Sequence, residues 1–313
     1  MNRRLIKGLI VIWIAIAVAG AYFLIYGILH GNSFSNFQFL DKSKGKIYNM
    51  QKDEDISIKN CNKISLDFSN EDIFIQTTDE ANLRVVQSSV GKLKNEDKFV
   101  MSKNGDNIEI KTNNRNGRFK FHVFQFININ QKIEVYIPKK YVEDLYVNLS
   151  SGDMSFNSSV EMNDIYCSQA SGDLYVKGGI TGNNVNIKTT SGDINADGIY
   201  SKYYKLENTS GDIRINSISG SGDIKAVSGD VKVNYRGIDN YSKINSVSGD
   251  IDLVIPKSLS FKFNGQSISG DINSDFPLNY ENTRKNRAAV QVGNPPYKTV
   301  DVNAVSGDIN LSQ

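Results

Sequence analysis

The tripeptide Ser-Gly-Asp occurs nine times, starting at Ser151, Ser171, Ser191, Ser210, Ser221, Ser228, Ser248, Ser269 and Ser306. The steps between copies are 20, 20, 19, 11, 7, 20, 21 and 37 residues. The steps of 11 and 7 together make close to one repeat, so the copy at Ser221 reads as an extra signature inside a repeat. The step of 37 reads as two repeats with one signature lost. A period of this size marks an architecture in which each unit buries its apolar face only by stacking on its neighbours.

The flanks repeat as well. The fourth residue before each Ser is mostly apolar (Val147, Cys167, Ile187, Leu206, Ile224, Ile244, Val302), and the second before is commonly small or polar. After the Asp come Met154, Leu174, Ile194, Ile213, Val231, Ile251, Ile272 and Ile309, often with a second apolar residue two positions on. Polar residues stand between. This period-two alternation predicts strands with one buried face, and no stretch after residue 30 keeps a helical period. In the tripeptide, Gly permits positive φ at a sharp bend, and the Ser and Asp side chains bond nearby backbone amides. Gly152, Gly172, Gly192, Gly211, Gly229, Gly249, Gly270 and Gly307 are therefore expected as structural turn positions.

The predicted fold is all-β: a β-solenoid of ~20-residue repeats with eleven or so rungs ~4.8 Å apart. Residues 57–138 read as a degenerate N-terminal version, with Glu71-Asp72-Ile73 where Gly-Asp-Ile stands later, and residues 139–313 as the regular repeats. Pro138 and Pro256 each close a strand, since proline cannot donate to the ladder. Cys167 falls in the Val/Ile/Leu column and reads as a buried small hydrophobe, with a disulfide to Cys61 as the alternative.

Gly8 to Leu29 is a run of 22 residues without Asp, Glu, Lys or Arg. As a helix it reaches across a bilayer core of about 30 Å. Arg3, Arg4 and Lys7 precede it, so residues 1–7 are expected in the cytoplasm and the β-domain outside, as a single-pass cell-membrane protein. A signal peptide cleaved after Ala17-Val18-Ala19 and a buried helix are the other readings. Residues 30–56 read as a linker. Apart from the three N-terminal cations the charges balance, which gives no electrostatic footprint for nucleic acid.

The N-terminal anchor, the Ile-Pro strand endings, the recurrent Ser-Gly-Asp-Ile and the closing Val305-Ser306-Gly307-Asp308-Ile309-Asn310-Leu311 go together. With these features the chain resembles, over residues 57–313, the bacterial family of unknown function numbered 4097, whose domain is labelled a putative adhesin. The resemblance implies a membrane-anchored β-strand-repeat protein of the cell envelope, tied to adhesion or to envelope-stress signalling. It supplies no catalytic residue.

Three chemistries were weighed against bland readings. A column of carboxylates including Asp173, Asp193, Asp212, Asp230, Asp250 and Asp271 either caps the turns or, stacked in register, holds a calcium ladder. Phe119, Phe121, Phe124 and Phe126 form either an interaction patch or a strand capping the solenoid. An enzyme needs a singled-out carboxylate pair or a His-based constellation. The Asp residues are too uniform for the first, and two His and two Cys leave little for the second or for zinc. The sequence thus points to a non-enzymatic envelope-binding module without cofactor, its partner a cell-wall polymer or a membrane protein. The alternatives are a regulatory partner in the envelope-stress response and, last, a carbohydrate-active enzyme on a β-helix.

Overall fold

The computed structural model describes residues 48–112, 130–281 and 285–313. Within them the only helical element is one 3-10 turn, Asn95–Asp97, and the regular structure is otherwise β-strand. The TM segment read from residues 8–29 and the Phe119–Phe126 patch lie outside the described residues. Among those described, no helix is long and apolar enough to cross a membrane.

One wall consists of ten parallel strands. In spatial order they are Asn107–Thr112, Lys63–Phe68, Asp144–Ser151, Asp164–Ser171, Ile180–Ser191, Ile199–Ser210, Ile213–Ser228, Val231–Ser248, Lys298–Ser306 and Phe261–Ser269. A second wall repeats the same order after the bend. It runs through Gln131–Pro138, Asp72–Thr78, Met154–Phe156, Leu174–Val176, Ile194–Ala196, residues 213–215, residues 231–234, Ile251–Val254, Ile309–Ser312 and Ile272–Ser274. From Lys63–Phe68 onward each rung is one strand from each wall joined at a bend, and the middle rungs close through a return wall at 160–161, 180–182, 199–201 and 218–220.

The alternation explains the core. Leu66, Val147, Cys167, Ile187, Leu206, Ile224, Ile244 and Val302 form one buried column, and Ile73, Met154, Leu174, Ile194, Ile213, Val231, Ile251, Ile309 and Ile272 form another across the bend. Each fully buried aliphatic side chain is worth about 1.5–3 kcal/mol, and a unit has partners for it only in its neighbours. One column departs from the aliphatic rule. Tyr204 is followed by Gly222 and Ser242, and a Cβ on Gly222 would stand 2.6 Å from the Tyr204 ring. The Ser242 hydroxyl meets the Tyr204 and Tyr235 hydroxyls at 2.8 and 2.6 Å, so these buried phenols have partners.

Both ends depart from chain order. At the N-terminal end the strands Asn107–Thr112 and Gln131–Pro138 lie outside the rung containing 63–78, and the chain then crosses back to 144–156. At the other end, residues 298–312 insert between the rung ending at Val254 and the rung of 261–274. The step of 37 residues therefore hides no lost parallel rung. Its interior forms Asn279–Tyr280 and Arg287–Val292, the latter antiparallel to Phe261–Ser269. Antiparallel strands also cover the first end. Asn82–Ser89 lies between Asn49–Ser57 and Gln131–Pro138, and Phe99–Asn104 pairs with Asn107–Thr112.

Two expectations are corrected. Residues 49–56, read as part of the 30–56 linker, belong to the strand Asn49–Ser57. Only its Ile56 packs against the core, and it is held mainly by its backbone pairing and by Asp53 and Asp55 bonding Arg84 and Asn82. Among the described residues the rungs number ten rather than eleven or so, because part of 57–138 forms antiparallel strands. Ser221-Gly222-Asp223 is no bend: it lies within Ile213–Ser228, with Asp223 opposite Lys205 and Lys243 on the outer face. It is the extra copy that its spacing suggested.

Candidate functional site

The bend corner gathers most of the residues that the sequence singles out. Gly152, Gly172, Gly192, Gly211, Gly229, Gly249 and Gly307 all have φ between 109° and 122°. The rungs also approach closely here: a Cβ on Gly192 would lie 2.0 Å from the Gly172 carbonyl oxygen. Gly270, on the outermost rung, is not in the positive-φ region, but a Cβ there would meet the Gly307 carbonyl at 2.1 Å.

The Asp column forms a continuous hydrogen-bonded ladder. The backbone N–H of Asp153 donates to Asp72 Oδ1, and the pattern runs on through Asp173, Asp193, Asp212, Asp230, Asp250, Asp308 and Asp271, with N···O distances of 2.7–3.0 Å. Like charges one rung apart repel, and a charge-assisted bond from the next rung's amide offsets that cost at each step. Arg214 adds a cation where the ladder is central, bonding Oδ2 of both Asp193 and Asp212. The Tyr175 hydroxyl donates to Asp173 Oδ2 at 2.9 Å. That bond to a carboxylate, with some burial, raises the phenol to about 12. Among the described residues no group of three or more His, Cys, Asp or Glu is placed to hold a metal ion.

A third layer of the corner lies inside. The residue two before each Ser is buried: Gln169, Thr189, Asn208, Ala226, Ser246, Ala304 and Ser267. Gln169 Nε2 donates to the Gly152 carbonyl at 2.7 Å, Asn208 Nδ2 to Gly192 at 3.0 Å and Ser267 Oγ to Gly307 at 2.9 Å. These donors satisfy carbonyls that the bend turns inward. The sequence shows their polarity at fixed spacing, but not that they point inward.

Cys167 and Cys61 are both buried and free, so the disulfide alternative is overturned. Burial raises the Cys167 thiol to about 12, the behaviour of an inert core thiol.

A second feature sits just before the bend on the outer face. The residue preceding Ser is Ala170, Thr190 or Thr209 on the earlier rungs, but Val227, Val247, Val305 and Ile268 on four later ones. These four are 46–64% exposed. A shallow groove of about 370 Å³ runs beside them, bounded on its other side by Asn245, Asn303 and Gln266. Each residue is visible before a Ser in the sequence, but the continuity of the row is not, because it depends on the insertion of 298–312 between the rungs of Val247 and Ile268.

These features define an all-β solenoid protein whose carboxylates and glycines serve the stacking of its rungs. The chain belongs to the Toastrack DUF4097 family, whose model matches residues 61–312. No curated protein matches the sequence. Among solved structures it is similar to a putative cell adhesion protein from Clostridium sporogenes, at 14% identity and TM-score 0.27, covering 85% of this chain and 100% of that one. A putative adhesin from Bacteroides fragilis shows 14% identity, coverage of 85% and 98%, and TM-score 0.46. A putative lipid binding protein from Parabacteroides distasonis shows 16% identity, coverage of 84% and 96%, and TM-score 0.43.

Proposed function

We propose that this chain is a non-enzymatic, membrane-anchored module that binds the cell envelope, in the manner of an adhesin. The observation that carries the reading is the use to which the reactive side chains are put. Each Asp Oδ1 from Asp72 to Asp308 accepts a neighbouring rung's amide, and Arg214 is bound to two of these carboxylates. The corner is thereby a rigid spine, and the outer faces present rows of side chains at the rung spacing of ~4.8 Å, suited to a repetitive polymer. Gly8–Leu29 anchors the module, with Arg3, Arg4 and Lys7 on the cytoplasmic side and the solenoid outside.

The test is sedimentation of the full-length protein, in detergent or vesicles, with isolated cell wall, alongside cross-linking in native membranes. Saturable wall binding is the expected result. No wall binding together with one specific cross-linked membrane protein would replace this reading with that of a regulatory partner. Turnover of peptidoglycan, teichoic acid or a polyuronate that is lost in a single carboxylate variant would show an enzyme instead.

A further inference from the structure

The groove beside Val227, Val247, Val305 and Ile268 has two unlike walls. One is a continuous row of β-branched apolar side chains, one per rung on four successive rungs. Isolated exposed valines need no explanation, but a contiguous row on rungs that are not consecutive in the chain does. The facing wall is a row of amides. Asn303 Nδ2 donates to Asn245 Oδ1 at 3.3 Å, and Arg287 donates to Gln266 Oε1 at 2.9 Å. These bonds orient the amides so that Asn303 Oδ1 and Gln266 Nε2 remain as an acceptor and a donor.

The groove is also electrically quiet. Lys225 at its edge lies 3.6 Å from the Glu207 carboxylate. Its remaining lining is uncharged, and the Arg287 guanidinium on Gln266 has the Glu281 carboxylate 3.5 Å away, so no unpaired cation answers a uronate or a phosphate. The apolar row is far smaller than the ~800 Å² per partner of a stable protein–protein interface. It is instead the width of a single extended chain.

We propose that this groove binds an uncharged linear glycan bearing N-acetyl groups, laid across the rungs along the solenoid axis. Laid along the axis, a β-linked pyranose chain runs past rungs ~4.8 Å apart, and because alternate sugars of such a chain turn over, every second sugar presents the same edge to the groove. The acetamido and hydroxyl groups face the amide row, and the sugar C–H faces and acetyl methyls cover the Val/Ile row. The inference rests on the envelope-binding reading and names the ligand for it.

The experiment is calorimetric titration of the full-length protein in detergent with the hexamer of N-acetylglucosamine, compared with the glucose hexamer and a polyuronate. Isolated wall is tested in parallel. Saturable binding of the acetylated hexamer is expected, at least tenfold weaker for the other two. Val247→Asp with Val305→Asp abolishes it, and Asn303→Ala, an exposed change that removes the acceptor and keeps the fold, weakens it at least tenfold. Thr190→Asp with Thr209→Asp, on the same column of earlier rungs, leaves it intact. Wall binding without hexamer binding overturns this inference and leaves the envelope reading standing, whereas loss of both overturns both. Hexamer binding unchanged by Asn303→Ala places the site elsewhere and overturns the proposal. Concentration-dependent self-association abolished by the valine changes would make the strip an interface between copies, and would also overturn the proposal.

Discussion

The bend corner and the return wall are built from the same chain at the same rung spacing, yet only one keeps strict register. At the bend, Ser pairs with Ser, Gly stacks on Gly and Asp bonds Asp through every rung from 151 onward. On the return wall the register slips between Tyr200 and Tyr203, and again between Ile215 and Ile218 and between Gly220 and Gly222. The bend is fixed three times over, by glycine backbone, by outer carboxylate and by inner donor. The return is aligned by buried side chains and by scattered bonds at its edges, such as Asn183 Nδ2 to Asn163 Oδ1 and the Asn240 amide to Ser221 Oγ, and bulges are tolerated where a bond on every rung does not forbid them. One extra Ser-Gly-Asp could therefore settle just past the return, beside Tyr203, Tyr204 and Lys205, as an ordinary segment.

The comparison breaks most sharply at glycine. Gly192→Ala places a Cβ against the Gly172 carbonyl at φ 120°, and a loss of about 3 kcal/mol or more is expected. Gly237→Ala in the return, where a Cβ meets nothing within 4 Å, should stay within about 0.5 kcal/mol. Denaturant melts of the two variants decide this, and equal losses would deny the bend its special role. Next is Asp212→Ala, which removes the acceptor for the Asp230 amide and one of the Arg214 partners. A loss of about 1.5–3 kcal/mol is expected, against a negligible change for exposed Asp239→Ala. Hydrogen exchange at the Asp230 amide should quicken in the first variant alone.

Asn208→Ala is milder, about 1 kcal/mol, because alanine already stands at this place as Ala226 and Ala304 and the Asn208 Oδ1 is buried without a partner among the described residues. The smallest effect concerns Glu207, whose carboxyl is held below the usual range by its hydrogen bond to Lys205 and by the charges of Lys205 and Lys225. A lowered folded-state value means stability that is present above the unfolded carboxylate range and lost as pH falls through the folded value. The gap between wild type and Glu207→Gln should be below about 1 kcal/mol at neutral pH and close in acid.

Much of this corner was legible because its chemistry is local. Ser-Gly-Asp announces a bend, and alternation such as Ile251-Asp252-Leu253 announces a half-buried strand. Asp72 was placed correctly beside Glu71 without a glycine to mark it. The order of the rungs was not legible, because spacing along a chain does not say which earlier edge a later strand will join. The strand Asn49–Ser57 was hidden for another reason: backbone pairing leaves no apolar signature. The groove combined both difficulties. Val227, Val247, Ile268 and Val305 are each visible before a Ser, but their continuity requires 305 to lie between 247 and 268.

That insertion also bears on how the protein is made. When a ribosome has delivered residues up to 274, the strands Val231–Ser248 and Phe261–Ser269 both exist, but the strand that joins them has not been synthesised. If the later coil docked at once on the growing stack, it would occupy the berth of 298–306. The emerging chain must hold that slot open until Lys298–Ser306 arrives to close it.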